Sequence, residues 1–375
     1  NKGEIDATTG TIDLENATVN GGTLGGPGTI ATATGNTDST LNGVTIAATA
    51  LVTAAVGTLD LTGIITNKGE IDATTGTLDL ENATVSGGTL GVFGTLDSTG
   101  TSFITNASIT NSGLIESTSG TLTIDPVASP TLTNSGTLEA NGGELDITSD
   151  PVANTGTLKA TNSSVLELIS TTVSNTGGTV TVDAGSTLDL DGGDSITGGT
   201  LGNSGTLDAT GTNSLHGMAI INALGATLES TGGFLTIDGS NTTFGNAGTV
   251  EANGGELDLT NDTLTNTGTL MATNSSVLEL TSTTVTNTGG TVEATGTNGV
   301  LNLKGATING GTVSTAASTD VIEATSGIST ISGTSSFVNA GTVEANGAEL
   351  DLVNTTVTNT NGTVEAIGTG LLNLK

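Results

Sequence analysis

The sequence predicts an all-β chain wound as a right-handed parallel β-helix (β-solenoid), with about 20 residues and three short strands per coil. Three observations carry this. A long stretch, NAGTVEANGGELDLTNDTLTNTGTLMATNSSVLELTSTTVTNTGGTV at Asn246 to Val292, repeats one at Asn134 to Val180, with 37 of 47 positions identical. A shorter version begins at Asn339 as NAGTVEANGAELDLVNTTVTNTNGTVEA. Within each copy, apolar residues recur at spacing two in runs of four or five, the period of a strand, and no stretch has helical periodicity.

Taken in order, one coil reads as follows. In GTLEA, Leu138 and Ala140 point inward while Thr137 and Glu139 point outward. After a turn at Asn141 to Gly143, Leu145 and Ile147 point in, with Glu144 and Asp146 out. Val152 marks a third short strand before Asn154. Stacked triangular coils give three parallel sheets, and the right hand follows from the rule for parallel connections. Residues 1–133 use GGTLGxxGTL-type coils and 134–375 use EANGGELDL-type coils, with looser stretches at Gly198 to Asp238 and Gly310 to Ser336. The four prolines (Pro27, Pro126, Pro130 and Pro151) sit in turn contexts, where a missing N–H matters least. No linker divides the parts, so 1–375 reads as one continuous solenoid. Both ends fall inside a repeat, which predicts a segment of a longer repeat protein.

Composition narrows the function. Apolar residues make up 33%, mostly Leu, Val, Ile and Ala, with five Phe (Phe93, Phe103, Phe234, Phe244 and Phe337) expected as core fillers and no Tyr or Trp. Low-complexity disorder would share this composition, but not the strict alternation of GELDL and SVLELT. There are 37 acidic residues against five Lys and no Arg, a net charge of −32. That excludes nucleic-acid binding, which rests on neutralising phosphates, and binding to anionic membranes on the same ground. No cysteine is present, so disulfides and thiolate metal sites are excluded. No apolar run approaches the ~18 residues that span a bilayer.

Several residue sets suggest sites. Asn134, Asn154, Asn175, Asn246, Asn266, Asn287, Asn339 and Asn359 each precede the corner of a coil. Stacked at one corner, their amides would form a structural Asn ladder, with the following glycines supplying a positive φ. Outward columns are expected to run Glu139, Lys159, Thr181 and Glu251, Met271, Glu293 on one sheet. A second sheet would carry Asp146, Glu167, Asp189 and Asp258, Glu279, Asn302. Stacked like charges destabilise, so such columns are either screened as a solvated acidic face by monovalent salt or hold calcium, a hard ion with oxygen ligands. Asp189, Asp191 and Asp194 in DLDGGD form the one tight acidic turn and are the calcium candidates, although the nonapeptide calcium repeat is absent. No other cofactor is expected.

Catalysis is not expected. Carboxylate pairs occur in every coil and so mark no site, Arg is missing, and the lone His216 has no nucleophile beside it in sequence. Thr-x-Thr words that would suit ice binding occur at Thr121–Thr123, Thr131–Thr133 and Thr179–Thr181, but in different contexts rather than in one column. An adhesive face would show a regular outward column of uncharged side chains, and the sequence discloses none.

The words NAGTVEANGGELDL and TTVTNTGGTVEA resemble the β-strand repeats of giant bacterial secreted, adhesin-like surface proteins of the haemagglutinin or autotransporter-passenger type. The resemblance spans the whole chain. It implies export to the bacterial cell surface or the extracellular space and a role as stalk, biofilm matrix or filament segment. An adhesive or ligand-binding module using one face is the alternative. Expected partners are further copies, side by side or end to end, or a host or surface ligand, with no nucleic acid and no membrane insertion.

Overall fold

The structure, a computed structural model, describes residues 3–32, 38–125, 132–149, 151–239 and 242–375. The described residues are strands, bends and turns without a helix. Parallel strands stack as a β-solenoid of about 21 residues per turn. Pro126, Pro130 and Thr131 lie outside the described residues. Pro27 sits in a bend, and Pro151 opens a strand, Pro151–Asn154. The chain forms two compact units, 1–186 and 187–375.

In the first unit, Thr137–Asn141, Glu144–Thr148 and Pro151–Asn154 form one coil. Each strand pairs in parallel with its counterpart one coil on, in the registers Thr137↔Thr157, Glu144↔Val165 and Pro151↔Thr172. The alternation reads out directly, because Leu138, Ala140, Leu145, Ile147 and Val152 are all buried. Removing their apolar surface from water, at about 25 cal/mol per Å², is the main force holding coil to coil.

The second unit has the same plan. Sheet A includes Thr249–Asn253, Thr269–Thr273, Thr291–Ala294, Thr312–Thr315 and Ser336–Asn339. Sheet B includes Glu256–Thr260, Val277–Thr281, Val300–Lys304, Val321–Ser326 and Thr342–Asn346. Sheet C includes Thr263–Asn266, Thr284–Thr286, Thr307–Asn309, Ile328–Ser332 and Glu349–Val353. The words do not keep to one sheet. TVEAN lies on sheet A at Thr249 but on sheet B at Thr342. The loose stretch from Gly310 contributes the strands Thr312–Thr315, Val321–Ser326 and Ile328–Ser332 before the Asn-ended strand Ser336–Asn339, and that strand therefore falls on sheet A instead of sheet C.

This slip corrects the expectation of a single Asn corner. In the first unit, Asn111 Nδ2 donates to Asn134 Oδ1 (2.7 Å), Asn134 to Asn154 (2.7 Å) and Asn154 to Asn175 (2.6 Å). In the second, Asn203 donates to Asn222, Asn222 to Asn246, Asn246 to Asn266 and Asn266 to Asn287, over 2.7–2.9 Å. Asn339 donates to Asn359 (2.8 Å) at the end of sheet A, a different corner, where the Thr315 hydroxyl takes the place of the preceding amide. Most of these amides are fully buried. Such groups must be hydrogen-bonded or cost stability, and each Nδ2 in the long runs also reaches a backbone carbonyl, as Asn266 does at Thr291 O (3.0 Å).

The glycine expectation is corrected as well. Gly177 and Gly289 do adopt positive φ (82° and 84°). Gly156 and Gly268 do not, and are required for space: a Cβ on Gly156 would stand 2.1 Å from Gly136 O. Of the five phenylalanines only Phe244 and Phe337 are buried. Phe93, Phe103 and Phe234 are outward residues, 38–51% exposed, so they fill no core.

Candidate functional site

Outward side chains stand in register columns, and the strand pairing decides which ones meet. Glu116, Glu139, Lys159 and Thr181 follow one another in the first unit, and Asp146 stands beside Glu167. In the second unit, sheet A stacks Glu229, Glu251, Met271, Glu293 and Ser314. Sheet B stacks Asp258, Glu279, Asn302, Glu323, Glu344 and Glu365.

Like charges about 4.8 Å apart along a column are tolerated because neighbouring coils supply donors. The Thr161 hydroxyl donates to Glu139 (2.7 Å), Thr123 to Asp146 (3.2 Å), Thr231 to Asp208 (2.6 Å), and Thr273 to Glu251. Asn253 donates to Glu229 (2.9 Å) and Asn346 to Glu323 (3.0 Å). Lys159 pairs with Glu139 (3.3 Å), and Lys304 with Glu279.

Compensation is incomplete where carboxylates crowd. Burial first, then the charge of Glu144, pushes the Asp146 carboxyl up to about 6, against the opposing hydrogen bond from Thr123. Burial, then Glu279 and Glu256, does the same at Asp258, also to about 6. Asp262 is pushed up to about 7, mainly by burial and then by Asp238. One buried oxygen each of Asp146 and Asp258 has no hydrogen-bond partner among the described residues.

These are also the places where carboxylates converge. Glu144, Asp146 and Glu167 in the first unit, and Glu256, Asp258 and Glu279 in the second, bring one oxygen each within 4.8 Å of one another. They occupy equivalent positions of the two long copies. An oxygen-only set of this kind suits a hard divalent cation, or else a shared proton. DLDGGD is not among such groups. On the strand Thr187–Gly192, Asp189 faces Asp208, while Asp191 is exposed and accepts from Thr210 (3.1 Å). Asp194 lies inside, 1% exposed. Strand alternation keeps Asp189 and Asp191 on the outward face, and the corner turns Asp194 inside. His216 lies at the surface with Nδ1 3.2 Å from Asp238 Oδ2.

Sheet C differs. Its outward residues form two ranks, Thr263, Thr284, Thr307, Thr330 and Thr265, Thr286, Asn309, Ser332, all uncharged. Ahead of them stand Gly245 and Ile221, the latter 65% exposed. Asp351 ends the run, in register with Thr330. This is the regular uncharged column that the sequence did not disclose. Its signal was present in TLTN, TVTN, TING and TISG, but their shared sheet became visible only through the register. In the first unit a comparable run carries Ser108 and Thr110, then Thr133, Ala153 and Ser174.

The fold and its surface columns define a β-solenoid repeat protein with chemically distinct faces. No family model matches the chain, and no curated protein does.

Proposed function

We propose that the chain is a non-enzymatic structural segment (stalk, matrix or filament) of a large extracellular bacterial adhesin-like protein. The observation that supports this most is repetition at every level. The inward stripe returns in coil after coil, and corner amides and outward carboxylates recur along both units, so no group is singled out as a reacting one. A solenoid of this kind grows in length by adding coils, each stabilised through its neighbours, and its charge keeps it soluble. The two carboxylate groups at Asp146 and Asp258 are where calcium would bind and stiffen or bridge segments.

The test is a titration of the chain with calcium, following thermal melting and light scattering, against magnesium and sodium at matched ionic strength, alongside electron microscopy. Extended particles that calcium alone stabilises or assembles are expected. Equal effects of the three salts would remove calcium from the reading. Hydrolytic or lytic activity on acidic polysaccharides would overturn the structural role itself.

A further inference from the structure

The uncharged face of sheet C shows a second property besides its lack of charge. On the acidic sheets, threonines set against a carboxylate are engaged: Thr273 donates to Glu251, Thr231 to Asp208 and Thr281 to Glu279. On sheet C, the hydroxyls of Thr263, Thr265, Thr284, Thr286, Thr307 and Thr330 make no hydrogen bond to a described residue. Two coils therefore present paired threonines and the next two a single threonine each, with hydrogen bonds left to whatever lies outside, while the Ser332 hydroxyl donates to Asn309 (2.6 Å). The four on Thr263–Asn266 and Thr284–Thr286 are exposed, and the later ones are half-buried. The chain carries −32 overall, so a face without a carboxylate over four successive strands is a departure from its surroundings.

The partner such a face fits is itself periodic and uncharged. Recognition of an irregular surface needs differing groups at differing positions, and here the groups repeat. No aromatic side chain stands in these ranks to stack on a sugar ring. The ranks are separated by about 4.8 Å from coil to coil and about 6.7 Å along each strand. In a tetrahedral lattice of hydrogen bonds about 2.75 Å long, second-neighbour oxygens lie about 4.5 Å apart and the layer repeat is about 7.3 Å. Both spacings agree to about a tenth.

We propose that the Thr263–Ser332 face of sheet C binds ice. Its hydroxyls take lattice positions while the threonine methyls fill the hollows between them. The carboxylates of sheets A and B draw water into shells centred on each charge, which do not continue a lattice, so binding is confined to sheet C. This inference is independent of the structural role above, which stands or falls by the calcium and microscopy results.

The test uses the full chain in dilute buffer cooled around a single ice crystal, measuring the gap between melting and growth temperatures and the crystal's shape. Two variants accompany it: Thr286→Lys in the centre of the face, and Thr269→Lys at the first outward position of a sheet A strand. Thr265→Lys stands in if Thr286→Lys fails to melt as the parent does. Faceted crystals and a growth gap that vanish in Thr286→Lys and persist in Thr269→Lys are expected. Ice growing as in buffer alone overturns the proposal, as does an equal loss in both variants. A parent chain that ignores ice but self-associates, with Thr286→Lys abolishing the association, makes the face a contact between copies and overturns it too.

Discussion

Sheets A and C of the second unit share a core, a coil length and a liking for threonine, yet among the described residues only sheet A uses threonine hydroxyls as donors to carboxylates. On sheet A the threonine beside an acid is an internal donor, whereas Thr249, Thr269 and Thr291 donate to no described residue. Thr273 serves Glu251 one coil back, and Thr231 serves Asp208, so stacked acids are held by their neighbours. On sheet C there is no acid to serve, and the hydroxyls face outward while the adjoining corner is fastened by buried amides. The comparison teaches that a column's stability and its availability to a partner are in competition. A side chain that holds the coils together is already occupied.

The strongest test of this division removes a corner amide. Asn266→Ala strips both hydrogen bonds to Asn246 and Asn287 and leaves buried partners unsatisfied, which is expected to cost about 1–3 kcal/mol in denaturant unfolding. A cost under a few tenths would show that the ladder decorates the corner without fastening it. Next comes Thr273→Val on sheet A. A hydrogen bond to a charged group contributes about 1.5–3 kcal/mol before solvent screening, so a loss toward or below the lower end is expected. The same change at Thr286 on sheet C should stay within about 0.5 kcal/mol. Equal losses at the two threonines would erase the distinction between the sheets.

Smaller effects follow from charge. Asp258→Asn is expected to stabilise the chain near pH 8 by about 0.2–1 kcal/mol, the range of a cross-strand like-charge contact, and to do nothing at pH 4. The sign for pH itself follows from the upward shifts. Asp146 and Asp258 move from 3.8 to about 6, and Asp262 to about 7. The folded state therefore holds protons that the unfolded chain has released. The stability this contributes is complete below 3.8 and is lost as pH rises through about 6 to 7. Melting followed from pH 8 to pH 5 should move upward. A flat or falling profile would mean that the donors on neighbouring coils already neutralise the crowding.

Much of this was legible in the residues. Alternation in GTLEA and GELDL placed Leu138, Ala140, Leu145 and Ile147 inside, and the spacing of the copies set the coil length. The columns Glu251, Met271, Glu293 and Asp258, Glu279, Asn302 followed from those two facts. What was not legible depends on register accumulated over several coils. Gly310 to Ser336 looked like a loose stretch, and nothing local in it says that it shifts the following words by one strand. For that reason the sequence places Asn339 and Asn359 at the wrong corner, and the regular uncharged column of sheet C does not show in it. Asn111, Asn203 and Asn222 were missed because their strands, SITN, TLGN and AIIN, belong to other dialects than EANGGELDL. The outward Phe93, Phe103 and Phe234 show that hydrophobicity alone misplaces a residue when alternation is ignored.

The one-strand slip also explains where the uncharged face stops. Once TVEAN has moved to sheet B, ELDLV follows onto sheet C and sets Asp351 against Thr330. Sheet A in turn receives Ser314, Val338 and Thr358 in place of its acids. In a three-sided coil, four strands where three are expected thus act as a ratchet. They turn the whole chemical pattern by one side without altering the core beneath. Duplication or deletion of a single strand-sized word is therefore enough to re-aim a face, so a repeat lineage can explore new orientations of the same surface while each step leaves the stacking intact.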